Sequence, residues 1–101
     1  MPSQKETDSR RKWKLVGAPL IWRSWDEGEY VVFHEASGDT HHVNLFTAAL
    51  LRQLERANLD AHDLAQRVAD VLEISADRQY LTMVGRLLEF LDDLGLVEPA
   101  N

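Results

Sequence analysis

The stretch E-Y-V-V-F-H-E-A-S-G-D-T-H-H-V-N, residues 29 to 44, decides the fold. Glu29 to His34 is a run of β-branched and aromatic residues and Thr40 to Val43 is a second, so both predict strands. Between them, Ala36-Ser37-Gly38-Asp39 supplies a turn whose glycine can take positive φ, which makes the pair an antiparallel hairpin. A two- or four-residue loop centred there sets His34 opposite His41 and Val32 opposite Val43. Upstream, Leu20 to Trp25 reads as another strand, joined through the turn Asp26-Glu27-Gly28. The expectation is a three-stranded antiparallel meander whose third strand is an edge.

Past Val43 the apolar period changes from two to about 3.6, and three helices follow. Asn44 is an N-cap for a helix from Leu45 to about Arg56, with Phe46, Ala49, Leu50 and Leu54 on one stripe. Asn58-Leu59-Asp60 breaks the pattern. Asp60 caps a second helix, and Leu59 with Leu64 forms a hydrophobic staple ahead of Ala65, Val68, Ala69 and Leu72. The third helix runs from about Asp77 to Leu94 and stops at Gly95, with Leu96 placed against Leu91 in a Schellman-type end. Its apolar residues cover about half the circumference, more than one packing partner needs. Two readings account for the surplus: this central helix touches both the other helices and the sheet, or one edge covers the core while another lines a groove, at a partner interface or beneath the sheet. Leu96-Val97 can add a short strand or wing before Pro99. The fold class expected is α+β: a three-stranded antiparallel β-meander followed by a three-helix bundle, winged-helix-like.

The chain has 101 residues, 45% hydrophobic and 28% charged, which is the profile of one small globular domain. A chain of this size buries about 60 to 65% of its unfolded surface, which leaves little room for a large catalytic cleft. There is no cysteine, so disulfides, thiolate metal sites and Cys nucleophiles are excluded together. No apolar stretch exceeds four residues, far below the roughly 20 that span a bilayer, and no signal-like segment opens the chain. The expected location is cytoplasmic.

Residues 1 to 14 carry Lys5, Arg10, Arg11, Lys12 and Lys14 against Glu6 and Asp8, a balance of +3 within a net charge of −6, so the remainder carries −9. This opening is polar and lacks a periodic apolar face, so it reads as a mobile basic tail, with the folded domain at 15–99 and a C-terminal end at 100–101. Beyond Arg86 the only charged residues are Glu89, Asp92, Asp93 and Glu98. Phosphate contacts need clustered Lys and Arg, so the charge argues against nucleic acid.

His34, His41 and His42 lie close together in the hairpin, but adjacent strand residues point to opposite sides, so only His34 and His41 share a face. Two imidazoles without thiolates fall short of a zinc site, and a solvated cross-strand His pair is the expectation. Ser37, Asp39 and His41 supply the residue types of a triad, yet one hairpin loop cannot bury, orient and face them with an oxyanion hole. The five glycines are scattered, which excludes a dinucleotide fingerprint or phosphate loop. Neighbouring carboxylates such as Asp92-Asp93 diverge in direction and read as solvated charge. Nothing argues for an enzyme, a metal or a cofactor. What is left is surface recognition: an edge strand can accept an extended peptide whose side chains enter a neighbouring groove. The alternative is a winged helix-turn-helix regulator with its third helix in a major groove. That helix sets Arg78 and Arg86 against Asp77, Glu89, Asp92 and Asp93.

The segments W-R-S-W (22 to 25), E-Y-V-V-F-H-E-A-S-G-D-T-H-H-V-N (29 to 44) and L-G-L-V-E-P (94 to 99) resemble the PqqD-like peptide chaperones, and more narrowly the HPr-rel-A system PqqD subgroup. The similarity runs from about Leu15 to Pro99, and A-S-G-D-T-H-x-V-N is its most specific piece. The resemblance implies a recognition element for ribosomally synthesised, later modified peptides. In such domains the leader of a precursor adds as an extra strand beside the third strand, against the third helix, and is presented to a modifying enzyme. On matching positions the strand is Thr40, His41, His42 and Val43. Periodicity assigns the facing helix positions to Tyr80, Met83, Val84, Leu87 and Phe90, with Glu89, Asp92 and Asp93 favouring basic residues in the ligand. The basic N-terminus and the His-rich third strand depart from the pyrroloquinoline quinone pathway chaperone. The subgroup instead suggests an HPr kinase-related protein of the same gene cluster as partner. An open edge can also pair with its own copy in a weak homodimer.

Overall fold

Three short polar side chains start three helices. The Asn44 carbonyl oxygen accepts from the Thr47 amide at 2.8 Å, Asp60 from Asp63 at 2.7 Å, and Asp77 from Tyr80 at 2.8 Å. Each supplies an acceptor for an amide that the first helical turn would otherwise leave unbonded. The resulting helices are α1 (Leu45–Arg56), α2 (Ala61–Leu72) and α3 (Arg78–Asp93), close to the sequence expectation. The structure, a computed structural model, describes residues 11–17, 20–26 and 28–100.

The meander consists of β2 (Leu20–Asp26), β3 (Glu29–His34) and β4 (Asp39–Asn44), preceded by β1 (Lys12–Leu15). Its order is β2-β3-β4, all antiparallel, so β4 is the edge that the sequence implied. The register differs from expectation by two residues. His34 faces Asp39 and Val32 faces His41, because the loop consists of residues 35–38, with Gly38 at φ +79 and its amide bonded to the His34 carbonyl at 2.8 Å. Val43 consequently faces Tyr30.

A second sheet was not expected. β5 (Leu59–Asp60), β1 and β6 (Val97–Pro99) form a three-stranded antiparallel ladder in that order. Lys12 to Lys14 are thus part of the fold and not of a tail. Trp13 pairs with Leu59 on one side and Pro99 on the other, and its half-buried indole packs against the core. A single tryptophan amid lysines has no apolar period of its own; strands supplied by distant parts of the chain order it. The Ala100 amide also bonds the Lys12 carbonyl at 2.8 Å, extending the ordered domain to both sides of 15–99. The remainder of the expected tail, residues 1–10, lies outside the described residues, as does residue 101.

The protein is α+β, and one core joins its layers. Leu20 and Val32 from the meander meet Leu50, Leu51 and Leu54 of α1, Leu64 and Val68 of α2, Val84, Leu88 and Leu91 of α3, and Leu96 and Val97 beyond it. Each buried leucine contributes about 2 kcal/mol of transfer free energy. α3 ends as expected: Gly95 at φ +84 lets its amide bond the Asp92 carbonyl while the Leu96 amide bonds Leu91, both at 2.9 Å. At the far side of the meander, Trp22 is latched to α1. Its indole N–H donates to Glu55 at 2.8 Å and the Arg52 guanidinium lies 4.2 Å from the ring centroid.

Candidate functional site

β4 runs into α1 without a loop, and Asn44 is both the last strand residue and the helix cap. That junction fixes the edge strand relative to the helices. On β4, His41 and Val43 are half-buried toward the helical layer, while Thr40, His42 and Asn44 alternate outward. Among the described residues, no strand lies on the side of β4 away from β3. Alternate backbone groups of an edge strand point away from its single neighbour.

A groove of about 350 Å³ follows this edge. One wall is Thr40, His41, His42, Val43 and Asn44; Thr47 from the first turn of α1 closes one part; and Leu87, Phe90 and Leu91 of α3, with its C-cap Leu94, form the opposite wall. Those helix positions are i, i+3, i+4 and i+7, a single stripe spanning about 10 Å along the axis, equivalent to about three residues of an extended chain. Phe90 is 56% exposed and Leu94 39%, so the outer part of the wall is uncovered, while Leu91 is buried at its base.

Six of the nine residues expected from the sequence line this groove: Thr40, His41, His42, Val43, Leu87 and Phe90. Three do not. Val84 is fully buried in the core, and Tyr80 is buried with its hydroxyl donating to the Ala65 carbonyl at 2.8 Å. Burial also pushes the Tyr80 phenol up from its ordinary value. Both pack on the core: Tyr80 lies almost in line with Leu87 but two turns nearer the N-terminus of α3, and Val84 lies about 60° round from Leu87. Met83 is exposed, one turn before Leu87, and lies outside the lining. Leu91 and Leu94 were missed as site residues. The signal was present in the sequence, because Leu87-Phe90-Leu91-Leu94 is the densest apolar stripe next to the glycine stop. Thr47 and Asn44 carried only a capping signal.

Among the described residues, no Asp, Glu, Lys or Arg lines the groove. Glu89, Asp92 and Asp93, expected to favour basic residues in the ligand, are not among the lining residues. Steps of two and five residues from Leu87 turn the helix by about 200° and 140°.

The imidazoles do not form a solvated pair. His34 is 2% exposed, with Nε2 at 2.7 Å from the Val16 carbonyl and Nδ1 at 2.9 Å from the Ser37 hydroxyl. A carbonyl can only accept, so Nε2 carries the proton. In neutral His34 the Ser37 hydroxyl therefore donates to Nδ1, while its oxygen accepts from the Asp39 amide at 3.3 Å. His34 thus ties the hairpin turn to the β1–β2 connection. His41 is different: its Nε2 is buried without a hydrogen-bond partner. Among the described residues, no group of three or more His, Cys, Asp or Glu side chains is placed to hold a metal ion. No described helix is long and apolar enough to cross a membrane.

Comparison with known proteins returned no match to any family model, curated protein or solved structure.

Proposed function

We propose that this chain is a peptide-recognition element that accepts an extended segment of another polypeptide beside β4. The observation that carries the reading is the groove itself, an edge strand facing a partly exposed apolar helix stripe with no Asp, Glu, Lys or Arg of the described residues between them. Ladder hydrogen bonds to β4 supply affinity without regard to sequence, each worth about 1 kcal/mol net. Register and selectivity come from side chains of the incoming strand that enter the groove against Leu87, Phe90, Leu91 and Leu94. Such a segment presents alternate side chains to one side, about 6.8 Å apart, so two apolar anchors at i and i+2 fit the stripe.

The resemblance to PqqD-like chaperones extends this to a partner class. The bound segment is the leader of a ribosomally synthesised precursor, and the chain presents it in the cytoplasm to a modifying enzyme or to an HPr kinase-related protein of its own gene cluster. The test titrates isotopically labelled protein with synthetic leaders of short reading frames that neighbour its gene. The expected result is perturbation of the Thr40 to Asn44 amides together with the Leu87, Leu91 and Leu94 methyl groups. Shifts confined to other surfaces, or no binding by any leader, overturn the proposal, and so does salt-dependent binding to random duplex in their place.

A further inference from the structure

The outer face of the meander, turned away from the helices, holds a shallow basin of about 410 Å³ lined by Ile21, Arg23, Val31, Phe33 and Thr40. An antiparallel sheet with one face on the core is expected to be polar on the other. Here the central strand turns Val31 and Phe33 outward, and Ile21, directly opposite Phe33, is 48% exposed. Arg23 stands opposite Val31 as the one charged lining residue among the described residues. Arg52 and Lys14 are engaged with Glu55 and Glu98, whereas Arg23 is exposed and meets no carboxylate among the described residues. A cation in an apolar basin, on a chain whose net charge is −6, marks a surface complementary to the opposite sign.

We propose that this basin is a second docking surface, meeting the β4 groove only at Thr40, for a protein segment that presents a carboxylate beside aliphatic or aromatic side chains. The guanidinium fork pairs with the carboxylate in two parallel hydrogen bonds while Ile21, Val31 and Phe33 receive the apolar neighbours. A second copy of the chain is a poor occupant, because a twofold axis through the basin brings two Arg23 side chains together. Two surfaces that share only Thr40 allow the chain to hold a peptide at its edge and another protein on its sheet. The basin does not depend on the groove's assignment.

The experiment selects a random-peptide phage library on the immobilised protein and measures the recovered peptides by titration. Peptides with Asp or Glu next to Leu, Ile, Val or Phe are expected. Arg23→Glu weakens these about tenfold or more, and Arg23→Gln by less. Phe90→Asp leaves them unchanged, and replacing the peptide's acid by Lys restores binding to Arg23→Glu. Recovered peptides that bind Arg23→Glu as tightly as the parent protein, or a selection without acidic–apolar peptides, overturn the proposal. Peptides lost only with Phe90→Asp report on the groove, so the two surfaces succeed or fail separately.

Discussion

The Tyr80 hydroxyl donates to the carbonyl of Ala65 across 2.8 Å, joining the first turn of α3 to the middle of α2 inside the core. The Phe46 ring meets Tyr80 edge to face at 5.8 Å, so the same side chain also locates α1. Holding the N-terminal half of α3, with Tyr80 and Val84, against the core fixes which side of its C-terminal half lines the groove.

This bond makes stability depend on alkaline pH. Burial raises the Tyr80 pKa in the folded protein above its ordinary value of 10.0, so the folded state disfavours the phenolate. The stabilisation is present in full below that value and is lost as pH rises through the folded value. Tyr80→Phe should cost about 1 kcal/mol near neutrality. Urea unfolding across pH ~8 to ~11 should show the gap between parent and variant narrowing at the alkaline end. A constant gap would mean that the phenol is not protected by the fold.

How much of this was legible in the sequence depends on where the determining contacts lie. The caps Asn44, Asp60 and Asp77 act within three residues, and the Gly95 stop within four, so the helices could be read directly. The edge position of β4 followed from hairpin order. The β5-β1-β6 sheet could not be read, because Trp13 gains its partners from Leu59 and Pro99, neither of which carries a strand pattern. The hairpin register turned on loop length, which Gly38 permits but does not set. At the site, periodicity found the apolar half of α3 but could not divide core from groove. Val84 sits about 60° round from Leu87 and Tyr80 only about 20°, two turns nearer the N-terminus, so it is packing against the other helices that separates core from groove.

Gly17 meets two constraints at once. It lies at φ +73, and a Cβ there would stand 2.6 Å from the Cβ of Ala36 in the hairpin turn. Gly17→Ala should therefore destabilise by about 2 to 4 kcal/mol, from left-handed backbone strain plus overpacking. Ala36→Gly removes the clash but not the strain, so in that background the same substitution should cost measurably less. Equal losses in the two backgrounds, read from a double-mutant cycle of unfolding free energies, would dismiss the contact.

Glu73 ends α2 in the left-handed region, at φ 59 and ψ 48, with its amide bonded to the Ala69 carbonyl. A side chain with a Cβ is strained there, and glycine is not. Glu73→Gly should raise stability by ~0.5 kcal/mol, the relief of strain being partly offset by the greater freedom of the unfolded chain. The denaturant midpoint should rise while the slope stays constant. A lower midpoint would show that the Glu73 side chain contributes more than its backbone costs.

Phe90 and Leu88 are two residues apart on α3, yet Leu88 is fully buried and Phe90 is 56% exposed. An aspartate at position 88 must lose its hydration inside the core, so Leu88→Asp should fail to fold at all. Phe90→Asp leaves the charge in water, and its melting temperature should stay close to that of the parent protein. What it changes is the groove wall, where a carboxylate faces the apolar anchors of an incoming strand. Peptides that shift the Thr40 to Asn44 amides should therefore bind Phe90→Asp at least about tenfold more weakly. Calorimetric titration beside a thermal melt separates the two effects. Undiminished binding by a folded Phe90→Asp variant would remove α3 from the recognition surface and leave only the backbone of β4.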